Sequence, residues 1–103
     1  RAGVWRRRMT DNEKNWLNGR DEASAKEAFL AMSGEQLAQW VRMNVSDSTV
    51  SYAIPYLEYV IAGCWGCETE RDAFLYILCN VTSWRGPCAR AWKSAVKAKY
   101  SIA

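Results

Sequence analysis

The 103-residue chain contains no histidine, only two prolines and no apolar run long enough to cross a bilayer. The lack of histidine removes the commonest general base, the commonest metal ligand and the side chain that titrates near neutral pH. The longest apolar stretch, residues 52–65, is interrupted by Pro55, Glu58 and Gly63 and falls short of the roughly 20 residues that span a membrane. These absences argue against many enzyme classes and against a transmembrane helix.

The chain is unusually rich in large apolar side chains. Half of its residues are apolar, and six are tryptophans, which bury a large area per residue. The length is typical of one domain with one core. We therefore expect residues 1–103 to form a single helical domain, in which residues 1–9 form a flexible basic N-terminal segment.

Capping patterns predict the first three helices. Thr10 with Glu13 three residues on, and Ser33 with Gln36 three residues on, each match the capping box that begins a helix. Asp21 is a suitable N-cap for a helix between them. Each pattern is followed by apolar residues at the 3.6-residue period of an amphipathic helix.

Three further helices follow from proline, threonine and apolar periodicity. The β-branched and aromatic residues at 49–54 favour an extended lead-in, with a fourth helix over 55–62 that begins at Pro55. Thr69 caps a fifth helix, which we expect to be central and buried because residues 74–81 are mostly apolar. Pro87 begins a sixth. The predicted fold is all-α, a compact bundle of about five to six short helices.

Four cysteines raise the question of a disulfide or a metal site. If residues 69–81 are helical, Cys79 lies roughly 15 to 18 Å from the turn that holds Cys64 and Cys67, too far for a bridge. Cys79 and Cys88 lie at the same end of that helix, so we predict a disulfide between them. Cys64 and Cys67 then pair with each other or stay free. The same distance argues against a four-cysteine zinc site, and no metal is predicted.

The turn formed by residues 64–67 precedes a helix N-terminus, where the helix dipole lowers a thiol pKa. A thiol-disulfide redox protein that uses Cys64 and Cys67 is therefore an alternative function. In this turn and in its helical class the chain resembles the flavin-dependent sulfhydryl oxidases. It lacks their histidine-containing flavin motif, and its later cysteine spacing differs, so no cofactor is predicted.

The net charge of +3 is unevenly distributed. Residues 1–8 carry four arginines and residues 84–103 carry five basic residues, and neither stretch contains an acid. Residues 9–83 hold five bases and eleven acids, a net charge of −6. Basic termini could bind nucleic acid or another anionic surface. The candidate binding residues are Arg6, Arg7, Arg8, Arg90, Lys93 and Lys97.

No catalytic constellation emerges from the sequence, so the chain is more simply read as a binding protein than as an enzyme. The leading hypothesis is a non-enzymatic helical module that binds a macromolecular partner, most simply a protein, through an aromatic-rich, charge-polarised surface. An even cysteine count, a first residue other than Met, and glycosylation patterns at Asn44 and Asn80 favour a secreted protein or another oxidising compartment.

Overall fold

The computed structural model describes residues 9–66 and 68–103. Over these ranges the chain forms six α-helices and no strand, which confirms the predicted all-α fold. No helix in the described part of the chain has the length and apolar character needed to cross a membrane. The helices are α1 (Asp11–Leu17), α2 (Glu22–Leu30), α3 (Gly34–Asn44), α4 (Ile54–Ile61), α5 (Glu70–Cys79) and α6 (Pro87–Lys99).

Both predicted capping boxes are present. The Thr10 hydroxyl accepts the Glu13 amide at 3.1 Å, and the Glu13 carboxylate accepts the Thr10 amide at 3.0 Å. The same reciprocal pair joins Ser33 and Gln36 at 2.9 and 3.1 Å. Asp21 caps α2 by accepting the amide of the residue at the third helical position. Such caps stabilise a helix by about 1 kcal/mol each, so the chain direction at these three sites is set locally.

The region before Pro55 differs from the prediction. Residues Ser51–Ala53 form a single 3₁₀ turn, and α4 begins at Ile54, so the extended lead-in is wrong. Val50 and Ala53 have no exposed surface and are joined by a backbone hydrogen bond of 2.8 Å. Burying both side chains under a tight turn outweighs the extended preference of the β-branched residues.

The helices pack in pairs around one core. α2 packs along α6, and α4 lies between α3 and α5. α6 is the most buried helix, with six core residues. α5 was expected to be central, but it buries only Ala73, Phe74 and Ile77, and its outer side exposes Tyr76 and Cys79. The prediction of a buried fifth helix is therefore wrong.

A continuous chain of seven aromatic rings crosses the core. Successive ring centroids are 4.4 to 6.2 Å apart, within the range of favourable aromatic contacts. The chain connects α1, α2, α3, α5 and α6, so most of the helices contribute to one packed aromatic interior. Its members in order are Trp16, Phe29, Trp40, Trp84, Trp92, Phe74 and Tyr100.

Glu13 connects α1 to this aromatic interior. Only 1% of its surface is exposed, and its carboxylate accepts the indole N–H of Trp84 at 3.0 Å as well as the Thr10 amide. Its backbone carbonyl accepts the thiol of Cys88 at 3.8 Å. A buried carboxylate is tolerated only with such donors. The residue that caps α1 thus also fixes that helix against the loop before α6.

We expect Glu13→Ala to lower the free energy of unfolding by about 3 kcal/mol, because it removes a helix cap and leaves the buried Trp84 N–H without its acceptor. Glu13→Gln keeps one acceptor and should cost less. Urea unfolding followed by tryptophan fluorescence measures both. The control Glu35→Ala removes an exposed carboxylate from the first turn of α3 and should cost below about 1 kcal/mol. Equal losses for Glu13→Ala and Glu35→Ala would contradict the role of Glu13.

Candidate functional site

The residues singled out from the sequence fall in several separate places. Arg6, Arg7, Arg8 and Cys67 lie outside the described residues. Cys64 lies in the α4–α5 loop, whereas Cys88 and the other basic candidates lie on α6. These candidate residues do not lie together in one cleft. In the described ranges, no group of three or more cysteine or acidic side chains is placed to hold a metal ion.

The structure does not form the predicted disulfide between Cys79 and Cys88, and both are free thiols. Cys79 ends α5 on its exposed side. Cys88 lies in the first turn of α6 with no exposed surface and directs its thiol to the Glu13 carbonyl. The sequence separation suggested a local bridge, but Cys88 faces the core and Cys79 faces solvent. Burial raises the pKa of the Cys88 thiol to about 12, and the negative charge of Glu13 adds to this effect.

The surroundings of Cys64 do not favour a thiolate. Burial raises the pKa of its thiol, and the Glu70 carboxylate raises it further. That carboxylate accepts a hydrogen bond from the Tyr100 hydroxyl, whose own pKa is raised by burial and by this contact with Glu70. The sequence predicted a thiol pKa lowered by the α5 dipole, but the nearby carboxylate has the opposite sign. A reactive thiol needs a lowered pKa, and these contacts act on Cys64 in the opposite direction. Its proposed partner, Cys67, lies outside the described residues.

Tyr59 holds the loop that contains Cys64. Its hydroxyl donates to the Glu68 carbonyl at 2.8 Å and accepts the Gly66 amide at 3.1 Å. Its ring lies 5.9 Å from the ring of Trp65. One side chain on α4 therefore makes two hydrogen bonds to the loop and a ring contact with Trp65, which is 78% exposed.

An aromatic surface runs along α4 and across to α5. We call it the tyrosine face, and it consists of Tyr52, Tyr56, Tyr59, Trp65 and Tyr76. Positions 52, 56 and 59 are spaced by four and three residues, so these side chains share one stripe of the turn and helix. Tyr56 stacks on Tyr76 of α5 with centroids 5.1 Å apart. Four of the five tyrosines in the chain belong to this face.

The tyrosine face is accessible in both its apolar and its polar parts. Tyr52 and Trp65 are 80% and 78% exposed, and Tyr76 is 43% exposed. The hydroxyls of Tyr52, Tyr56 and Tyr76 form no hydrogen bond to any other side chain or backbone group that the structure describes. Each of these hydroxyls is free to donate to a partner. The sequence analysis missed this surface because it predicted residues 49–54 as extended, which hid the helical spacing of Tyr52 and Tyr56.

A second apolar surface, the α1–α3 groove, lies elsewhere on the molecule. It encloses about 250 Å³, and Met43 on its rim is 74% exposed. The buried Trp40 indole N–H beside it has no hydrogen-bond partner in the described ranges. The Trp40 ring meets the rings of Trp16 and Phe29 edge to face. The groove is lined by Trp16, Met32, Gln36, Gln39, Trp40, Met43 and Asn44.

The three basic candidates on α6 have different surroundings. Arg90 forms an ion pair with Glu22 of α2 at 2.9 Å, so its charge is already compensated. Lys93 is half-buried and donates to the Trp84 carbonyl at 2.7 Å. Lys97, one turn further along, is exposed. The three candidates therefore differ in their charge partners. Arg90 forms an ion pair between α6 and α2, whereas no ion pair of the described residues includes either lysine.

The raised pKa of Cys88 predicts a loss of stability at alkaline pH. The unfolded chain releases this thiol proton near pH 9, while the folded protein keeps it up to about pH 12. Between these values the folded state binds more protons, so the free energy of unfolding falls as pH rises, by up to about 1.4 kcal/mol per pH unit for this group. We expect Cys88→Ala to reduce that slope in urea unfolding between pH 9 and 11 under reducing conditions.

The matched control for this experiment is Cys79→Ala, which removes an exposed thiol. Comparison of the two variants shows whether the change of slope is specific to the buried thiol of Cys88. An equal slope for Cys88→Ala and the unmodified protein would show that the Cys88 thiol titrates alike in both states.

The chain was compared with protein-family models, curated proteins and solved structures. No family model, no curated protein and no solved structure matches it. The function therefore has to be argued from the surfaces described above. Of these, the tyrosine face combines the highest exposure with unused hydrogen-bonding groups.

Proposed function

We propose that this protein is a non-enzymatic helical interaction module that binds a partner protein through the tyrosine face. The observation that carries the proposal is the grouping of four of the five tyrosines, with the exposed Trp65, on one side of the fold. Tyrosine and tryptophan are the residues that most often dominate protein–protein binding energy. Exposed apolar side chains grouped in this way are characteristic of interaction sites.

The chemistry of the face suits an extended segment of the partner. The ring surfaces of Tyr52, Tyr56 and Tyr76 can cover apolar side chains, and their unpaired hydroxyls can donate to backbone carbonyls. An extended segment offers such carbonyls because its backbone makes no internal hydrogen bonds. A partner helix would have its own carbonyls occupied. We therefore propose an extended peptide segment as the element that docks.

Part of the tyrosine face is also preorganised, because two of its side chains are held in place by contacts within the protein. Tyr59 is fixed by two hydrogen bonds to the loop, and Tyr56 is stacked on Tyr76. Side chains held in place before binding lose less conformational entropy when a partner arrives. Tyr52 and Trp65 flank this ordered centre as the most exposed members. This arrangement of fixed centre and exposed flanks supports a binding role.

Selection of peptides from a random display library tests the proposal without knowledge of the natural partner. We expect selected peptides to lose about 10-fold in affinity with Tyr52→Ser and more with Tyr52→Ser/Trp65→Ser, measured by fluorescence anisotropy. Met43→Ser is the matched control, because it removes an equally exposed apolar side chain from the α1–α3 groove.

The control should bind the selected peptides like the unmodified protein. Two results would overturn the proposal. One is that the library yields no specific binder, and the other is that the affinity falls with Met43→Ser and not with the tyrosine-face variants. Circular dichroism verifies that each variant stays folded.

A further inference from the structure

A group of three basic side chains lies at the start and along the outside of α6. We call it the basic cluster, and it consists of Arg85, Lys93 and Lys97. The Lys93 ammonium donates to the carbonyl of Trp84, the residue directly before Arg85, at 2.7 Å. Lys97 follows Lys93 by four residues, about 6 Å along the helix axis. The fold therefore brings Arg85, which the sequence analysis had left out, beside the two lysines.

No acidic side chain among the described residues forms an ion pair with a member of the basic cluster. The ion pairs there involve Arg42 and Arg90, and none includes a member of the basic cluster. Burial lowers the pKa of Lys93, and the positive charges of Arg85 and Lys97 lower it further. Like charges held this closely repel one another, and an anion placed between them would relieve the repulsion.

We propose that the basic cluster binds the phosphodiester backbone of nucleic acid without regard to base sequence. Arg85 lies just before α6, and Lys93 and Lys97 lie one turn apart on it, with Arg85 and Lys97 exposed. Cations spread over a surface in this way suit a polymer with regularly spaced phosphates. Lysine and arginine contacts of this kind position a protein on the backbone and carry no sequence information. The site is separate from the tyrosine face, and it does not depend on the function proposed for that face.

A membrane surface is the less favourable partner for this helix. The apolar face of α6, which includes Trp92 and Val96, lies in the core and cannot enter a bilayer. The large exposed hydrophobic side chains of the described residues are on α3, the turn before α4, the α4–α5 loop and α5, and none is on α6. The helix thus offers charge without the apolar contact that anchors an interfacial helix.

Fluorescence anisotropy with labelled single-stranded and duplex oligonucleotides tests the proposal. The salt concentration is varied from about 50 to 200 mM, the range over which binding through phosphate contacts weakens steeply. The test variant is Arg85→Ala/Lys97→Ala. The control Lys14→Ala/Lys26→Ala removes two positive charges from α1 and α2, so both proteins have the same net charge. Lys93 is left unchanged because its hydrogen bond to Trp84 supports the fold.

We expect the test variant to lose about 10-fold in affinity at low salt and the control to lose less than about 3-fold. The slope of log K against log salt should flatten by about 1.8 for duplex and about 1.4 for single strands, the values for two lost phosphate contacts. Equal losses in both variants would overturn the proposal, since they would reflect net charge alone. Tighter binding to phosphatidylserine vesicles or to polyglutamate than to either oligonucleotide would overturn it as well.

Discussion

The buried carboxylate of Glu13 is the contact on which the arrangement of the fold depends. α1 has only seven residues, too few to be stable as an isolated helix. The hydrogen bond from Trp84 joins residues 71 positions apart and fixes this short helix against the loop before α6. Because the carboxylate also completes the α1 capping box, the same side chain stabilises both the helix and its docking. Trp16 can then enter the aromatic chain of the core.

The fold separates its aromatic side chains into two populations with different tasks. Both phenylalanines, and every tryptophan of the described residues other than Trp65, lie in or against the interior, where their area provides hydrophobic stabilisation. Tyrosine lies mainly on the outside, where a hydroxyl at the ring edge remains in contact with water. Tyr56 and Tyr59 pack partly against the core, whereas Tyr52, Trp65 and Tyr76 do not belong to it. Substitution of an exposed tyrosine can alter binding while the interior stays intact.

Local features of the sequence predicted the structure better than long-range ones. The capping boxes at Thr10 and Ser33 could be predicted because each depends on two residues three positions apart. The inward orientation of the Cys88 side chain could not be predicted, because it depends on the docking of a helix 75 positions earlier. The contact between Arg90 and Glu22 spans 68 positions and was missed for the same reason. The hydrogen bond from Lys93 to the Trp84 carbonyl joins residues nine positions apart, but the sequence pattern gives no sign of it.

The exposed position of Trp65 affects the intrinsic tryptophan fluorescence of the protein. The four other tryptophans of the described residues belong to the core aromatic chain, where an apolar environment shifts indole emission toward shorter wavelengths. Trp65 is solvated and stands apart from that chain, so it emits at longer wavelengths. The tryptophans of the described residues thus fall into two spectral classes. One reports the integrity of the interior, and the other reports events at the tyrosine face without any added label.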